Sequence, residues 1–478
     1  MISALRAFYL AHAEVVAYML QSTEYEVGPY LKWYWRTQNF ARVINRRVLD
    51  KTRRAKLVRL AAGCGMALQA ALGITLIVLG FTSSYRELIP FGTALLLSYP
   101  IVWAHFIVVP LLLAKWLVVL PRQKQAIRAS EKLFARHPAA KIAVAGSYGK
   151  TTMKEILATV LSEGKRVAAT PANRNVASSH AEFVQGLTGD EDILIIEYGE
   201  GAPGDVDRFA RTTHPTHAVI TGLAPAHLDK YLTLEAAGKD IFSVADYVES
   251  SQVYASTDSA AANPFLQPGF NTYGQDGVRG WQVDDVVIGV NGTDFTLKQG
   301  KTKLLIHSGL LGRHQIGPLS AAAVLGLELG LTQEEVISGI AKTAPFAHRM
   351  QPYPLGGAWI LDDTYNGNLE GIRAGTALLG ELEAKRKWYV TPGLVDQGKD
   401  TASIHEQVGT LIAGAKPDVV VLMKNSVTGF IRKGLEQAGY AGELRIEPEP
   451  LAFYMNLEHF VTQGDIVLMQ NDWTDNYA

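Results

Sequence analysis

Cysteine and net charge are what this sequence has least of. Cys64 is the only cysteine among 478 residues, which excludes an intramolecular disulfide framework and a multi-cysteine zinc site. Such low usage is typical of a reducing compartment. The 45 Lys and Arg residues nearly balance the 46 Asp and Glu residues, and no long basic cluster alternates with aromatic residues. We therefore expect no nucleic-acid partner.

Charged residues are missing altogether from two long stretches, 60–81 and 88–114. Each is longer than the roughly 20 residues that a helix needs to cross a bilayer. The sequence therefore predicts a transmembrane helical hairpin over residues 57–120, with the lipid bilayer as a partner. Basic residues flank both outer ends of the hairpin, so the positive-inside rule predicts a multi-pass protein of the cytoplasmic (inner) membrane whose other domains lie in the cytoplasm. A buried helical hairpin of a soluble domain is the alternative.

Residues 1–56, ahead of the hairpin, are predicted to form an N-terminal cytoplasmic or interfacial helical segment. Aromatic and basic residues are mixed between Tyr25 and Arg47, and such a mixture suits the lipid headgroup layer. An amphipathic helix packed on the soluble part of the protein explains the same mixture equally well.

Strand-like apolar runs and helical patterns alternate from residue 141 onwards, which is typical of a parallel sheet covered by helices on both faces. Short β-like pieces over 253–307 predict an antiparallel insertion or edge. A second alternation begins after Pro345. We therefore predict an α/β fold with a linker over 121–138, a central domain over 139–345 and a smaller, Rossmann-like C-terminal domain over 346–478. The hinge between the two domains is expected within 341–354.

A glycine-bracketed turn follows the apolar run 141–144 and opens the next predicted helix. A turn of this kind lets backbone N–H groups face a phosphate, and the helix N-terminus adds the positive end of its dipole. The pattern is a variant of the P-loop, with Val144 where the first glycine usually stands. A glycine-rich turn that binds nothing is the alternative. The predicted nucleotide-binding residues are Gly146, Ser147, Tyr148, Gly149, Lys150, Thr151 and Thr152.

Three more polar residues, Asn173, Glu197 and His227, come just after predicted strands. Ligands gather at the carboxyl ends of parallel strands, so we expect these residues to share one site with Lys150. Glu197 ends a buried strand and is placed to hold Mg²⁺ through a nucleotide, unless it only faces solvent. His227 is either a metal ligand or a packing residue.

The spacing of two further candidates, taken alone, indicates no special function. Lys239 lies in a helical stretch and is expected to be a surface lysine. Asp363 belongs to an acidic pair that is followed by Asn366 and Gly367 at the end of the first C-terminal strand. This segment is either a simple turn or the place where a nucleotide ribose is held.

Six motifs of the chain, taken in order, resemble those of the Mur ligases. They are Gly146–Thr152, Ile196–Gly199, Leu223–Leu228, Gly312–His314, His348–Arg349 and Leu361–Asn366. Within the family the resemblance is strongest to the ligase that adds D-alanyl-D-alanine to a muramoyl peptide. It implies an ATP-dependent amide ligase of cell-wall (peptidoglycan) precursor synthesis that works through an acyl phosphate. The implied partners are a muramoyl-peptide-like acceptor and an amino-acid or dipeptide amine.

The resemblance also implies roles for individual residues in catalysis and metal binding. Lys150 and the loop amides would stabilise the transferring phosphoryl group of ATP. Thr151 and Glu197 would hold one Mg²⁺, and His227 would help to hold a second. Lys239 is the nearest candidate for the lysine that family members carbamylate into a metal-binding anion, although Gly238 stands at the position where that lysine would align.

Other roles follow for the two ends of the reaction. The C-terminal domain would complete the ATP site with Arg349, Asp363 and Asn366. Asn173 and Asn175 would face the acceptor, and His405 lies in a helix that matches the family.

Departures from the family pattern concern the base and the acceptor. Gln315 and Pro318 stand where asparagines usually touch adenine, and the chain after Gln470 lacks the usual basic, glycine-containing ending. The hairpin occupies the place of the domain that grips the UDP-sugar in the family. We therefore expect an acceptor that is presented at the cytoplasmic membrane face, such as a lipid-linked muramoyl peptide.

Other functions fit parts of the sequence. A Mur-like ligase with a polyglutamate- or folate-type acceptor is one, a membrane-anchored P-loop ATPase is another, and a catalytically silent scaffold is a third. Two spans without Asp, Glu, Lys or Arg disfavour a transporter. The presence of Lys150, Thr151, Glu197 and His227 together disfavours a scaffold.

Overall fold

A computed structural model of the chain describes residues 11–23, 25–37, 52–172, 174–224, 231, 233–365, 367–394, 397 and 400–471. The chain divides into two compact units, with the boundary between Gln125 and Ala126. The described part of the first unit is helical, whereas the second unit contains two β-sheets.

Long apolar helices dominate the first unit. Its helices are α1 (His12–Ser22), α2 (Val27–Arg36), α3 (Arg53–Thr82), α4 (Leu88–Phe106) and α5 (Val108–Ala114). A π-helical turn, Lys115–Val119, leads from α5 into α6 (Leu120–Arg136). The segment predicted as a linker, 121–138, is therefore largely helical.

The two stretches without charge form helices that could cross a membrane by their length and composition. They lie in α3 and in the helical stretch from Leu88 to Arg136, and 22% and 17% of their most apolar windows are buried within the protein. Large apolar side chains such as Leu68 and Phe91 are 72% and 68% exposed. Soluble core helices can pass the same length test, so the membrane hairpin stays a prediction.

Glycines allow α3 and α4 to touch. A Cβ atom on Gly73 would lie 2.8 Å from Gly92 O, and one on Gly92 would lie 2.5 Å from Gly73 O. Backbones approach this closely only where both residues lack a side chain. In the same unit Tyr30 of α2 is fully buried and donates its hydroxyl to Ala104 O at 2.9 Å, which ties α2 to α4.

A ten-stranded sheet opens the second unit, in the order β10-β9-β8-β7-β6-β5-β4-β1-β3-β2. The six strands from β2 to β6 in this order pair in parallel, and the strands from β6 to β10 pair antiparallel. The antiparallel stretch predicted over 253–307 is thus correct only from β7 onwards. The strands are β1 (Ala140–Ala145), β2 (Val167–Ala169), β3 (Ile193–Glu197), β4 (His217–Ile220), β5 (Val253–Ser256), β6 (Asn271–Gly274), β7 (Gly277–Val278), β8 (Trp281–Gly289), β9 (Gly292–Gln299) and β10 (Thr302–Ser308).

Helices cover both faces of this sheet. They are α7 (Lys150–Leu161), α8 (Ala177–Gln185), α9 (Asp205–Thr213), α10 (Leu234–Phe242), α11 (Ile316–Glu328) and α12 (Gln333–Ala341). One apolar core joins α7, α11 and α12 to one face of the strands, and a second core joins α8, α9 and α10 to the other. The central β1 and β3 are buried on both faces, which explains why they are continuous apolar runs in the sequence.

A six-stranded sheet follows, in the order β11-β12-β16-β13-β14-β15, and all of its pairs are parallel except β11 with β12. Its strands are β11 (Gln351–Leu355), β12 (Ala358–Asp363), β13 (Arg386–Thr391), β14 (Val419–Met423), β15 (Glu443–Glu447) and β16 (Asp465–Gln470). Its helices are α13 (Leu369–Glu381), α14 (Thr401–Gly414), α15 (Thr428–Gln437), α16 (Pro450–Met455) and α17 (Leu457–Phe460). This is the predicted α/β organisation of the C-terminal part.

The edge strand β11 overlaps the segment that the sequence predicts as the hinge. It contains Pro352 and Pro354, and proline cannot donate to a sheet ladder, so its presence argues against a strand. At a sheet edge only one side of the strand needs donors, which is why two prolines are tolerated here. The last four residues of the predicted hinge, 351–354, are therefore part of a strand.

Candidate functional site

The glycine-bracketed turn links β1 to α7 in a conformation that needs its glycines. Gly146 and Gly149 have φ angles of 142° and 74°, which residues with a side chain rarely adopt. A Cβ atom on Gly146 would also lie 2.3 Å from Thr221 Oγ1 of the segment after β4. Thr221 in turn donates its hydroxyl to Tyr148 O, so the loop is held from the neighbouring strand end.

The ammonium group of Lys150, the first residue of α7, turns back over this loop. It donates to Gly146 O at 2.5 Å and lies 2.6 Å from Glu200 Oε2. Lys150 and Glu200 are 9% and 6% exposed. The sequence analysis did not single out Glu200, because a glutamate three residues beyond a strand end carries no pattern of its own.

Glu197 is almost fully buried, at 1% exposure, rather than facing solvent. Its Oε1 accepts hydrogen bonds from Thr151 Oγ1 and from Asn175 Nδ2, both at 3.2 Å. The structure thus brings together three residues that the sequence predicted for one site, one from the loop, one from β3 and one from the segment that follows β2.

Lys154 supplies the positive charge next to Glu197. Its ammonium lies 3.4 Å from Glu197 Oε2 and donates to the backbone oxygens of Thr170, at 2.9 Å, and Ala172. The side chain is fully buried. Sequence reasoning missed this residue because a lysine one turn into a helix is normally solvated; its only signal is its position, one turn after Lys150 on the same helix.

His180 of α8 contacts the backbone of Glu197. Its Nε2 lies 2.9 Å from Glu197 O and donates to it, and its ring packs against Tyr198 and Phe209 at centroid distances of 5.7 and 5.0 Å. Burial lowers the pKa of His180 to about 4. The ring is therefore neutral at pH 7, which fits its place in an apolar cluster.

A cleft of about 470 Å³ opens beside the loop and is lined from both sheets of the second unit. Tyr148, Gly149 and Thr152 line it from the loop, and Arg349 and Asp363 line it from the C-terminal part. Gln315 and Pro318, which replace the asparagines expected near adenine, line the cleft as well. The volume lies within the range of small-molecule sites.

Arg349 and Asp363 are both fixed in position at this cleft. The guanidinium carbon of Arg349 lies 4.5 Å from the ring centroid of Tyr365. Asp363 accepts hydrogen bonds from Gln470 Nε2 at 2.7 Å and from Met350 N at 3.2 Å. Burial raises the pKa of Asp363 to about 6, and perturbed carboxyl groups of this kind are common in functional sites.

One predicted site residue, Lys239, is not brought to this cluster. Lys239 lies on the exposed side of α10, where its ammonium pairs with Glu235 at 2.7 Å and 70% of its side chain is exposed. The neighbouring Gly238 faces inwards, since a Cβ atom there would lie 2.3 Å from the Phe265 ring. The predictions for Asn173, His227 and Asn366 fall outside the described residues.

His405 has an internal structural role. Its Nε2 accepts from Leu394 N at 2.9 Å and its Nδ1 donates to Thr401 O at 2.6 Å. Both ring nitrogens are therefore used within the C-terminal part, and burial lowers the pKa of the ring.

The donor set around the loop suits Mg²⁺ bound together with a phosphate. Thr151 and Glu197 offer a hydroxyl and a carboxylate oxygen. Among the residues that the structure describes, Glu197 Oε2 is buried with no hydrogen-bond partner, although the Lys154 ammonium lies 3.4 Å away. Within the described ranges, no three His, Cys, Asp or Glu residues form a metal-binding group. Mg²⁺ at phosphate sites usually has few protein ligands, so this arrangement fits the ion.

The fold and the site define an α/β protein in which a glycine-bracketed loop on one mixed sheet faces a second α/β part across a cleft. Comparison with known families makes the class specific: residues 144–326 match the Mur ligase middle domain. Over these residues the chain is similar to the Mur ligase family, in agreement with the resemblance seen in the sequence motifs.

Similar proteins agree with this assignment. Over 366 residues the chain is 27% identical to a UDP-N-acetylmuramoyl-tripeptide–D-alanyl-D-alanine ligase of Mycobacterium leprae, covering 69% of this chain and 70% of that protein. The ligase of the same name from Escherichia coli is 28% identical over 307 residues, covering 59% and 64%. The prediction of an ATP-dependent ligase is confirmed at the level of the family.

A solved structure shows the same fold. The MurF ligase of Thermotoga maritima, determined in complex with ADP, superposes with a TM-score of 0.62 at 21% identity, and the match covers 73% of this chain and 80% of that one. The likeness supports the α/β architecture of the second unit.

Proposed function

We propose that the chain is an ATP-dependent amide ligase that adds D-alanyl-D-alanine, or a similar amine, to a muramoyl peptide in cell-wall precursor synthesis. The observation that carries the proposal is the contact of Thr151 and Asn175 with the same oxygen of Glu197. It joins the phosphate loop to the segment that is expected to face the acceptor. An acceptor carboxylate would take the γ-phosphoryl group of ATP to give an acyl phosphate, from which the amine displaces phosphate.

The loop would bind the phosphates of ATP. Lys150 and the backbone N–H groups between Gly146 and Thr152 stabilise negative charge on the transferring group. Thr151 and Glu197 would hold Mg²⁺, which neutralises charge on the phosphates when it is bound. Lys154 and His180 keep the Glu197 carboxylate and its backbone in place through the contacts described above.

The C-terminal domain would complete the nucleotide site. Arg349 is a cation at the cleft, and Asp363 with Asn366 would bind the polar part of the nucleotide. Because these residues and the loop come from different sheets, we infer that closure of the cleft assembles the site. A P-loop ATPase would not need residues of a second domain to line the nucleotide site. Their presence favours the ligase over a simple ATPase.

Asn175, together with Asn173, would bind the acceptor next to Glu197, and His227 would help to hold a second Mg²⁺. The position of Lys239 on the exposed side of α10 gives no support for a metal-binding carbamate there. We therefore leave Lys239 out of the proposed site.

We further propose that the first unit anchors the enzyme in the cytoplasmic membrane, with the second unit in the cytoplasm, and that the acceptor is lipid-linked. The two apolar helices support an anchor, and the family match begins only at residue 144. An anchored active site would meet an acceptor that is itself confined to the membrane face.

The test is phosphate release from ATP and Mg²⁺ by the full chain in detergent. Soluble UDP-muramoyl-tripeptide and its lipid-linked equivalent are compared as acceptors, each with and without D-alanyl-D-alanine. A ligase needs both partners for full turnover, and we expect the lipid-linked acceptor to be preferred. Turnover that is independent of the amine would favour an ATPase, and a preference for the soluble acceptor would remove the lipid-linked part of the proposal.

A further inference from the structure

The Glu200 carboxylate contacts the Lys150 ammonium, the charged group of the loop that would bind a nucleotide phosphate. Its Oε2 lies 2.6 Å from Lys150 Nζ, and the two side chains are 6% and 11% exposed. The same ammonium donates to Gly146 O at 2.5 Å. The Lys150 ammonium therefore contacts two oxygen atoms of the protein itself, a backbone carbonyl oxygen and a carboxylate oxygen.

The segment that carries Glu200 is held at both ends. Gly199 N donates to Asn175 O at 2.8 Å, and Gly204 N donates to Asp240 Oδ1 at 2.8 Å. Between them, Ala202 O accepts the hydroxyl of Tyr231 at 3.1 Å. The Glu200 carboxylate is thus presented to Lys150 by a fixed loop rather than by a freely moving side chain.

We propose that Glu200 is an internal competitor of phosphate: its carboxylate holds Lys150 in the empty loop, and a nucleotide phosphate must replace it. The inference rests on the proposed function, because it requires a phosphate-bearing nucleotide as the ligand. A carboxylate that stayed beside the bound phosphate would repel it, since like charges at short range in a buried site interact strongly. Glu200 therefore lowers the affinity of the loop for phosphate and favours release of the spent nucleotide.

The experiment compares ADP with adenosine, which lacks the phosphates. Isothermal titration calorimetry with the full chain in detergent, in the presence of EDTA to exclude metal effects, gives both dissociation constants. Removing the charge with Glu200→Gln should tighten ADP binding at least about fivefold, while adenosine binding stays unchanged. The matched control is Glu436→Gln, which removes an exposed carboxylate paired with Arg432 and should alter neither constant.

Each outcome decides the proposal. ADP affinity that is unchanged or weaker in Glu200→Gln would overturn it, and equal tightening of ADP and adenosine would point to a general structural change and overturn it too. In a Lys150→Ala background the effect of Glu200→Gln should disappear. If Glu200→Gln does not give a circular dichroism spectrum of folded protein, Glu200→Asp is measured instead, and its shorter reach should give a smaller shift in the same direction. A wild-type chain that binds neither ligand would refute the proposed function itself, and the inference with it.

Discussion

Lys154 is the clearest case of a single residue whose importance depends on its surroundings. An ammonium group with no solvent exposure is stable only where it is paired and hydrogen-bonded. Here the carboxylates of Glu197 and Glu155 and two backbone oxygens meet that need. The same contacts fix the carboxylate of Glu197, so a helix residue outside the loop holds in place the carboxylate that we propose as a metal ligand.

Lys154→Met tests this arrangement. The change leaves Glu197 buried without its cation, so we expect the free energy of unfolding to fall by about 3–5 kcal/mol. Urea denaturation followed by circular dichroism measures it. The matched control is Lys433→Met, whose lysine is 55% exposed and paired with Glu406, and which should cost less than about 1 kcal/mol. Equal stability of Lys154→Met and the wild type would contradict the pairing.

The pH dependence of stability should report on His180. The pKa of His180, about 4 in the folded protein, lies below the ordinary value of 6.5. Between these two pH values the unfolded chain therefore binds a proton that the folded chain does not bind. Stability is therefore fully present above pH 6.5 and is lost as the pH falls towards 4, by up to about 3 kcal/mol. His180→Gln keeps an N–H donor for Glu197 O but cannot titrate.

Denaturation at several pH values between 4 and 7 distinguishes the two proteins. The stability difference between wild type and His180→Gln should shift in favour of the variant as the pH decreases through this window. Parallel curves for the two proteins would show that His180 is protonated as easily in the folded state as in the unfolded one.

At the scale of elements, most strands and helices of the second unit could be predicted because apolar runs bounded by turn residues mark them. β3 and α9 are examples, and β3 ends at the predicted residue, Glu197. β11 could not be predicted, because two prolines hide an edge strand whose pairing depends on a neighbour further along the chain. The partners of the site residues were equally hidden, because nothing local in the sequence says that Glu200 meets Lys150. The exposed position of Lys239, in contrast, does follow from its spacing in the helix.

The contact between α3 and α4 makes a prediction at this scale. Gly92→Ala should destabilise the first unit, because its Cβ atom would lie 2.5 Å from Gly73 O and the helices would have to separate. Gly63→Ala is the control in α3. Among the described residues, its Cβ would meet only Ala13 Cβ, at 3.9 Å, and alanine is the better helix former by roughly 1 kcal/mol.

Thermal unfolding in detergent compares the two variants. We expect the midpoint of Gly92→Ala to fall and that of Gly63→Ala to stay the same or rise. A midpoint that changes equally in both variants would show that the close approach of the helices does not matter for stability.

At the scale of the whole molecule, the cleft is lined by residues from both sheets of the second unit. A ligand that contacts both should stabilise the second unit as a whole, by about 2.7 kcal/mol at a concentration 100 times its dissociation constant. Arg349 lines this cleft from the C-terminal part and does not belong to the glycine-bracketed loop.

Arg349→Ala should therefore weaken ADP binding about tenfold, the loss expected of one charge-assisted contact, although the phosphate loop is untouched. Calorimetric titration measures the affinity, and the thermal shift caused by ADP should decrease in parallel. Arg432→Ala, which removes an exposed arginine of α15, serves as the control. Wild-type affinity in Arg349→Ala would mean that the nucleotide is bound by the central domain alone.

The prolines of β11 have a consequence for how these molecules behave at high concentration. Sheet edges with free N–H groups invite pairing with other chains. Pro352 and Pro354 alternate with Gln351, Tyr353 and Leu355, which leaves the strand N–H groups only at the alternate positions, the ones available to β12. The outer side of the strand therefore offers few donors to a second copy, and this edge of the sheet is protected against edge-to-edge self-association.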